Sequence, residues 1–202
     1  MNFNSQYWPH AHALYHALKQ DAFYIALEKS VDKGRSPQNA MIRYMAFSMA
    51  EADQTGDLFI PKGHEYGASV WARTLPPKTQ EKKHHAKTHF LAYEMGKKSL
   101  ETYHAIVGFM SEKAKSFVDD RFYYLSILGI LPRFQGRGLG EGLVRPVLEK
   151  TDALGIPTYL ETFVKKNMTF YRRLGYREAA SFFEPVTRAE YWIMIRKEKS
   201  MF

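Results

Sequence analysis

Apolar positions recur at helical spacing over residues 9–29, at Ala13, Ala17, Phe23 and Leu27, and predict a first helix there. Ser36 followed by Pro37 is a start signal, with serine as the cap and proline at the first helical position. The stripe Ile42, Met45, Ala46 and Met49 carries this second helix to about Asp53. Residues 58–60 and 68–73 read as strands joined by a turn over residues 62–67, and Pro76 with Pro77 closes that section. A charged helix follows over residues 79–98, carrying Phe90 and Met95, and another over residues 100–117. Asp119 and Asp120 break the pattern before an apolar run over residues 122–131, a long strand. Beyond it Leu139, Leu143, Val144, Val147 and Leu148 form a helical stripe. Pro146 lies in phase inside this stripe, where its missing N–H predicts a kink rather than a break. Residues 158–162 read as a short strand between Pro157 and a helix that ends at Gly175. In that helix Phe170 and Leu174 lie one turn apart, and Gly175 is suited to a left-handed C-terminal cap. Residues 176–197 read as two strands joined by a turn near Glu184 and Pro185; there are no repeats and no low-complexity stretches.

Composition narrows the class. With 202 residues, 45% hydrophobic and 25% charged, the chain suits one globular domain spanning residues 1–202 with a substantial core. No stretch approaches the roughly 18–20 apolar residues of a membrane span, and residues 1–10 lack a basic-then-apolar leader pattern. The absence of cysteine excludes disulfides and thiolate-bound metal, so the expected setting is cytoplasmic. The net charge of +8 is dispersed over short clusters at residues 82–83, 97–98, 165–166 and 172–173. A nucleic-acid patch would need a longer basic run of about five to eight residues, so no nucleic-acid partner is expected. A positive field of this kind favours a small, multiply anionic ligand. His12 and His16, and again His85 and His89, have the spacing zinc favours, but no third ligand accompanies either pair. They read as surface or pocket histidines, and no metal is expected.

The chemistry concentrates where the long strand meets the next helix, at Leu131-Pro-Arg-Phe-Gln-Gly-Arg-Gly-Leu-Gly140. Glycines at 136, 138, 140 and 142 let the backbone approach a ligand, the helix start offers unpaired N–H groups, and Arg133 and Arg137 flank them. Such a loop suits a pyrophosphate. The dinucleotide pattern G-x-G-x-x-G fails, because its third glycine would fall on Glu141 or Leu143, and no Gly-Lys-Ser/Thr string marks a nucleoside-triphosphate loop.

The string Gln135-x-x-Gly138-x-Gly140 after a strand resembles the pyrophosphate loop of the GNAT superfamily of acyl-CoA-dependent N-acetyltransferases. Asn167-Met-Thr-Phe-Tyr-Arg-Arg-Leu-Gly-Tyr176 resembles that superfamily's second signature. Residues 124–176 are similar to its puromycin N-acetyltransferase-like branch, and residues 65–72 look like the hairpin strand that precedes this core. The first 60 residues carry no comparable match.

The resemblance implies an α/β (α+β) fold: a mixed, mostly antiparallel sheet, splayed between two central parallel strands and flanked by helices. Residues 1–120 would form the acceptor side and residues 121–202 the acetyl-CoA-binding core and closing strands. It implies acetyl-CoA as cosubstrate, held by Gln135, Gly136, Arg137, Gly138, Leu139 and Gly140 at the pyrophosphate, by backbone at Leu128, Gly129 and Ile130 along the pantetheine arm, and by Asn167. Tyr171 matches the position of the acid that returns a proton to the thiolate. Glu161, at the end of the second core strand, is the leading candidate for a base, against a plain structural role; His64 and Glu65 are remoter ones. Many members of the superfamily manage without a dedicated base. Lys165, Lys166 and Arg172 are either contacts for the nucleotide's 3′-phosphate or solvated charges. The partners implied are coenzyme A and a small-molecule amine, with a homodimer left open. The competing reading is a catalytically quiet acyl-CoA sensor. The aromatic beginning (Phe3, Tyr7, Trp8, Tyr15, Phe23, Tyr24) is either core or the lining of a pocket for an apolar or aromatic amine.

Overall fold

A computed structural model describes residues 5–197; Phe3 lies outside the described residues. A 3-10 turn, Ser5–Tyr7, opens into α1 (Trp8–Leu18), followed by α2 (Ala22–Lys29) and α3 (Pro37–Thr55). The hairpin β1 (Asp57–Phe59) and β2 (Gly67–Ala72) leads to α4 (Pro77–Phe90) and α5 (Lys97–Ala114). The second half runs β3 (Tyr123–Ile130), α6 (Leu139–Ala153), β4 (Thr158–Thr162), α7 (Met168–Arg173), β5 (Arg177–Glu184) and β6 (Ala189–Arg196).

Two expected helices are divided. The periodic stretch 9–29 becomes α1 and α2 because Asp21 leaves the helical region (φ −76°, ψ 139°) and its Oδ1 accepts the Phe23 N–H at 2.9 Å. An aspartate used this way starts a new helix rather than continuing an old one. The charged stretch 79–98 starts two residues earlier, at Pro77, and passes through a π turn, Leu91–Met95, before stopping at Gly96. Gly96 has φ 101°, and a Cβ there would run into the Asp32 carboxylate. Hydrophobic period reports which face is buried, whereas these breaks are set by capping and close approach. The helix containing Pro146, by contrast, runs unbroken from Leu139 to Ala153.

The six strands form one sheet in the order β1-β2-β3-β4-β6-β5. Every neighbouring pair is antiparallel except β3 and β4. That parallel pair is short: register runs only through Tyr123↔Thr158, Tyr124↔Tyr159 and Leu125↔Leu160. β3 continues to Ile130 paired with β2 alone, so the sheet opens on its β4 side from Ser126 onward.

Packing on the sheet follows the chain's two halves. Leu14, Leu27, Met41, Met45 and Met49 from α1–α3 share a core with Val70 and Ile127. Val144, Val147 and Leu148 from α6 join Leu125, Leu160, Met168 and Tyr171 in a second. Ile106 and Met110 of α5 pack with Tyr191 and Ile193 in a third. Gly129 suits this packing, because a Cβ would come within 2.8 Å of Leu14 Cδ2 and 3.1 Å of Ala17 Cβ and α1 would have to give slightly.

Candidate functional site: a glycine loop, an open strand edge and an aromatic cavity

The loop after β3 is built for an anion. Gln135 turns back so that its Nε2 donates to the Ile130 carbonyl at 2.9 Å, closing the turn. Gly136 and Gly138 have φ 76° and 75°, where L side chains are strained, and space beside both is open. Gly138 caps α6 without any side-chain hydrogen bond, so the first N–H groups of the helix, including those of Leu139 and Gly140, keep their donors for a ligand. Gly140 serves a different end: a Cβ there would meet the Phe170 ring at 3.0 Å, so its absence lets α7 pack on the start of α6. The guanidinium carbons of Arg133 and Arg137 lie 5.2 and 5.4 Å from the Phe134 ring centroid, which holds two positive charges beside the loop.

The open edge of β3 leads inward from this loop. Leu131 donates its N–H to Tyr66 at 2.8 Å, toward the β2 side. Strand alternation then turns Gly129 toward β2 and turns the polar groups of Leu128 and Ile130 toward the gap where β4 has diverged. Backbone groups there lack a strand partner. They can bond an extended, amide-bearing chain in the way a further strand would.

The gap opens into a cavity of about 620 Å³ lined by Leu128, Glu161, Asn167 and Tyr171. Residues separated by four positions on one helical turn, Asn167 and Tyr171, reach it together. α7 is fixed by its end: Tyr176 N–H donates to the Tyr171 carbonyl at 3.1 Å, Gly175 N–H donates to that of Arg172 at 3.0 Å, and Gly175 has φ 93°. This locks the ring of Tyr171 between Phe170 and Tyr176, with centroids 5.3 and 6.1 Å away. Burial, then the nearby Tyr176 and Asp21, pushes the Tyr171 phenol well above its ordinary range, so the residue enters any reaction carrying its proton.

Among the described residues, Glu161 and Asp21 are two of the three carboxyl groups on the cavity wall, Glu51 being the third. Glu161 receives the Tyr124 hydroxyl on Oε2 at 3.1 Å, while its Oε1 is buried without a hydrogen-bond partner. Desolvation raises its pKa to about 7, a little offset by the Tyr124 bond. Asp21, the cap of α2, is raised to about 6 by burial against the lowering effect of the Phe23 and Tyr24 N–H groups. Carboxyls poised near neutrality are suited to proton transfer. Around them stand Tyr24, Tyr44, Tyr103, Tyr124 and Tyr159, giving the cavity aromatic walls.

Several expected residues therefore meet and others do not. Leu128, Glu161, Asn167 and Tyr171 line one cavity. His64 and Glu65 line a separate cleft between α1 and the β1–β2 turn, where His10 Nε2 lies 3.0 Å from the His64 carbonyl. Arg172 pairs with Glu178 at 3.4 Å, and the Lys165 ammonium lies 5.8 Å from the Trp192 ring centroid. Tyr15, Phe23 and Tyr24 divide between core and cavity: Tyr15 donates to Glu28 at 2.9 Å, whereas Phe23 and Tyr24 reach the cavity wall. Asp21 was not anticipated, although an aspartate two residues before Phe23 in a periodic stretch is a recognisable cap signal. Glu51 and Lys87, also on the cavity wall, leave no comparable sequence mark. Among the described residues no group of three or more His, Asp or Glu is placed to hold a metal ion. No helix among them is long and apolar enough to cross a membrane.

A mixed sheet opened at its parallel pair, with a glycine-rich helix start at the mouth of the gap, defines the acyl-CoA N-acyltransferase fold. The chain belongs to the Acetyltransferase (GNAT) family, whose model matches residues 54–176. Members of this family take acetyl-CoA as acyl donor. Solved structures share the fold over nearly the full length. The histone acetyltransferase HPA2 and related acetyltransferase of Corynebacterium glutamicum is 14% identical, with TM-score 0.65 over 98% of this chain and 96% of that one. Arylalkylamine N-acetyltransferase 2 of Aedes aegypti is 15% identical, with TM-score 0.60 over 97% and 96%. The Drosophila melanogaster polyamine N-acetyltransferase, which forms N-acetylagmatine, is 14% identical, with TM-score 0.59 over 91% and 90%.

Proposed function

We propose that this protein transfers the acetyl group of acetyl-CoA to the primary amine of a small molecule by direct attack. The observation that carries the reading is the convergence of the open β3 edge, the unpartnered Glu161 Oε1 and Tyr171 on one cavity. The N–H groups of Gly136 to Gly140 and the flanking Arg133 and Arg137 hold the pyrophosphate, and the backbone groups of Leu128 with the N–H of Ile130, whose carbonyl Gln135 already occupies, bond the pantetheine amides. Gly129 contributes close packing with α1 rather than a bond to the donor. Asn167, beside Tyr171, contacts the same arm.

The amine arrives as an ammonium, attracted by Glu161 and Asp21 and by the faces of the surrounding tyrosines. Glu161 takes one of its protons. The neutral nitrogen attacks the thioester carbon, whose oxygen takes the negative charge and is stabilised by backbone N–H at the open edge. Collapse of the tetrahedral intermediate breaks the C–S bond, and Tyr171 protonates the departing thiolate. Water in the cavity then returns a proton to the phenolate, the amide nitrogen loses its second proton to solvent, and Glu161 releases the first, so that one proton leaves per turnover. A thiol has pKa near 8.5, so the thiolate is itself a tolerable leaving group and needs only modest help from a phenol that burial holds above its ordinary range.

The polyamine and arylalkylamine activities in the names of two structural neighbours support an amine acceptor. The similarity of residues 124–176 to puromycin N-acetyltransferase supports a place near that branch, but the matching residues belong to the donor half. A cytoplasmic setting accords with a chain that has no cysteine. The test is thiol release from acetyl-CoA over a panel of amines. Release dependent on the amine, with N-acetylated product by mass spectrometry, is the expected result. Tight coenzyme A binding with no turnover of any amine would replace the enzyme with a binding protein.

A further inference from the structure

The cavity has two chemically different ends. Where β3 and β4 part, its acidic side chains are the carboxyls of Glu161 and Asp21. Between α3, α4 and α5 stand the basic side chains of Lys83, Lys87, His84 and His104 and the single carboxylate of Glu51. Tyr24, Tyr44 and Tyr103 run between the two ends, with neighbouring ring centroids 6.4 and 6.3 Å apart.

At the basic end two ammonium groups share one carboxylate oxygen. Lys87 Nζ lies 3.5 Å and Lys83 Nζ 3.7 Å from Glu51 Oε2. Lys87 is buried, its Nζ donates to Ser48 Oγ at 3.2 Å, and it stands 4.6 and 5.1 Å from the Phe47 and Tyr44 ring centroids. Two ammonium groups against one carboxylate leave an excess positive charge here, out of full contact with water. Burial accordingly pulls the Lys87 ammonium below its ordinary range, against the raising effect of Glu51. An ammonium has three donors, and Ser48 and Glu51 engage two of those on Lys87. A bound anion would restore neutrality and use the third.

We propose that the acceptor is a zwitterion of the ω-amino acid type: an amine at Glu161 and Asp21, an apolar spacer along Tyr24, Tyr44 and Tyr103, and a terminal acid group on Lys87 and Lys83. This rests on the acetyltransferase reading above and names its substrate class. A second ammonium, as in a diamine, would instead lie beside two like charges. Glu51 Oε1, buried and without a partner, is placed to accept from an N–H or O–H next to the acid group.

The experiment compares ω-aminocarboxylates with alkylamines and diamines of matched length, on the full chain with acetyl-CoA. At the best length the aminocarboxylate should exceed its alkylamine in kcat/KM by about tenfold or more, with the diamine poorest. Lys87→Met should lower that ratio by about 30-fold through KM, and Lys87→Arg should restore part of it. Should Lys87→Met fail to fold, Lys83→Gln on the more exposed neighbour should shift the ratio in the same direction. A ratio unchanged in these variants, or a preference for diamines or alkylamines at every length, would overturn the proposal while leaving the acetyltransferase intact. If no amine turns over, calorimetry of the aminocarboxylate with the coenzyme A complex decides separately. Binding that needs Lys87 retains the acid pocket and removes the acetyl transfer; no binding removes the pocket.

Discussion

Replacing Glu161 by glutamine should move activity and stability in opposite directions. Glutamine keeps an oxygen for the Tyr124 hydroxyl and nearly the same volume, so the substitution removes chiefly the ionisation. In the wild type the carboxyl is raised from 4.5 to about 7 by desolvation. Each tenfold change in proton affinity is worth about 1.4 kcal/mol, so an unoccupied cavity penalises the carboxylate by at most roughly 3 kcal/mol. The folded state holds this proton more tightly than the unfolded chain. The group's contribution to stability is therefore complete below pH 4.5 and is lost as pH rises to about 7. Glutamine carries no such loss. Urea denaturation of the ligand-free proteins should show the two nearly equal at low pH and the variant more stable above neutrality, by up to about 3 kcal/mol. Activity should respond the other way. With Glu161 taking the ammonium proton, kcat/KM rises with unit slope to about pH 7 and then levels. The variant must await neutral amine from solution, so its profile should keep rising toward the amine's own pKa near 10, with kcat/KM near neutrality lower by about 10²-fold. A glutamine variant with the wild-type profile, or one less stable than wild type above neutrality, would refute the assignment and leave Glu161 a structural carboxylate.

Tyr171→Phe removes the thiolate's proton donor without touching the glycine loop. Turnover should fall by about 10²-fold while the acetyl-CoA dissociation constant by calorimetry stays within about threefold. An unchanged rate would remove Tyr171 from the reaction. Gly138→Val places a β-branched side chain at φ 75° over the first N–H groups of α6. The strain should cost about 1–3 kcal/mol in thermal or urea unfolding, and the side chain should abolish measurable coenzyme A binding; wild-type affinity would show that the pyrophosphate lies elsewhere.

The donor side was open to reading because its determinants are local. Gln135, Gly138 and Gly140 act through backbone conformation and a helix start within a few residues, and Asn167 with Tyr171 acts through one helical turn. The strands of the second half are marked by the apolar run over residues 122–131, by Pro157 ahead of residues 158–162 and by the turn near Glu184 and Pro185. The helical period misleads where a local cap or a close approach from elsewhere in the fold overrides it. Asp21 interrupted an otherwise continuous stripe by capping α2, and Gly96 stopped a helix where the Asp32 carboxylate left no room for a side chain. Pro146 showed the reverse, its helix continuing from Leu139 to Ala153 on the packing of the stripe around it.

The sequence by itself determined the glycine loop, the order of the core elements and the two signatures that mark an acyl-CoA site, since each is written in contiguous residues. Only the tertiary structure decided the acceptor side. Asp21 on α2, Glu51 on α3, Lys87 on α4, Tyr103 on α5 and Glu161 on β4 come from five elements, and no sequence period relates them. They meet because β3 pairs with β4 for only three residues and the helices of the first half close over the gap. The same burial that brings them together gives Glu161 and Asp21 their raised pKa values. Those values belong to the cavity and not to any segment of the chain.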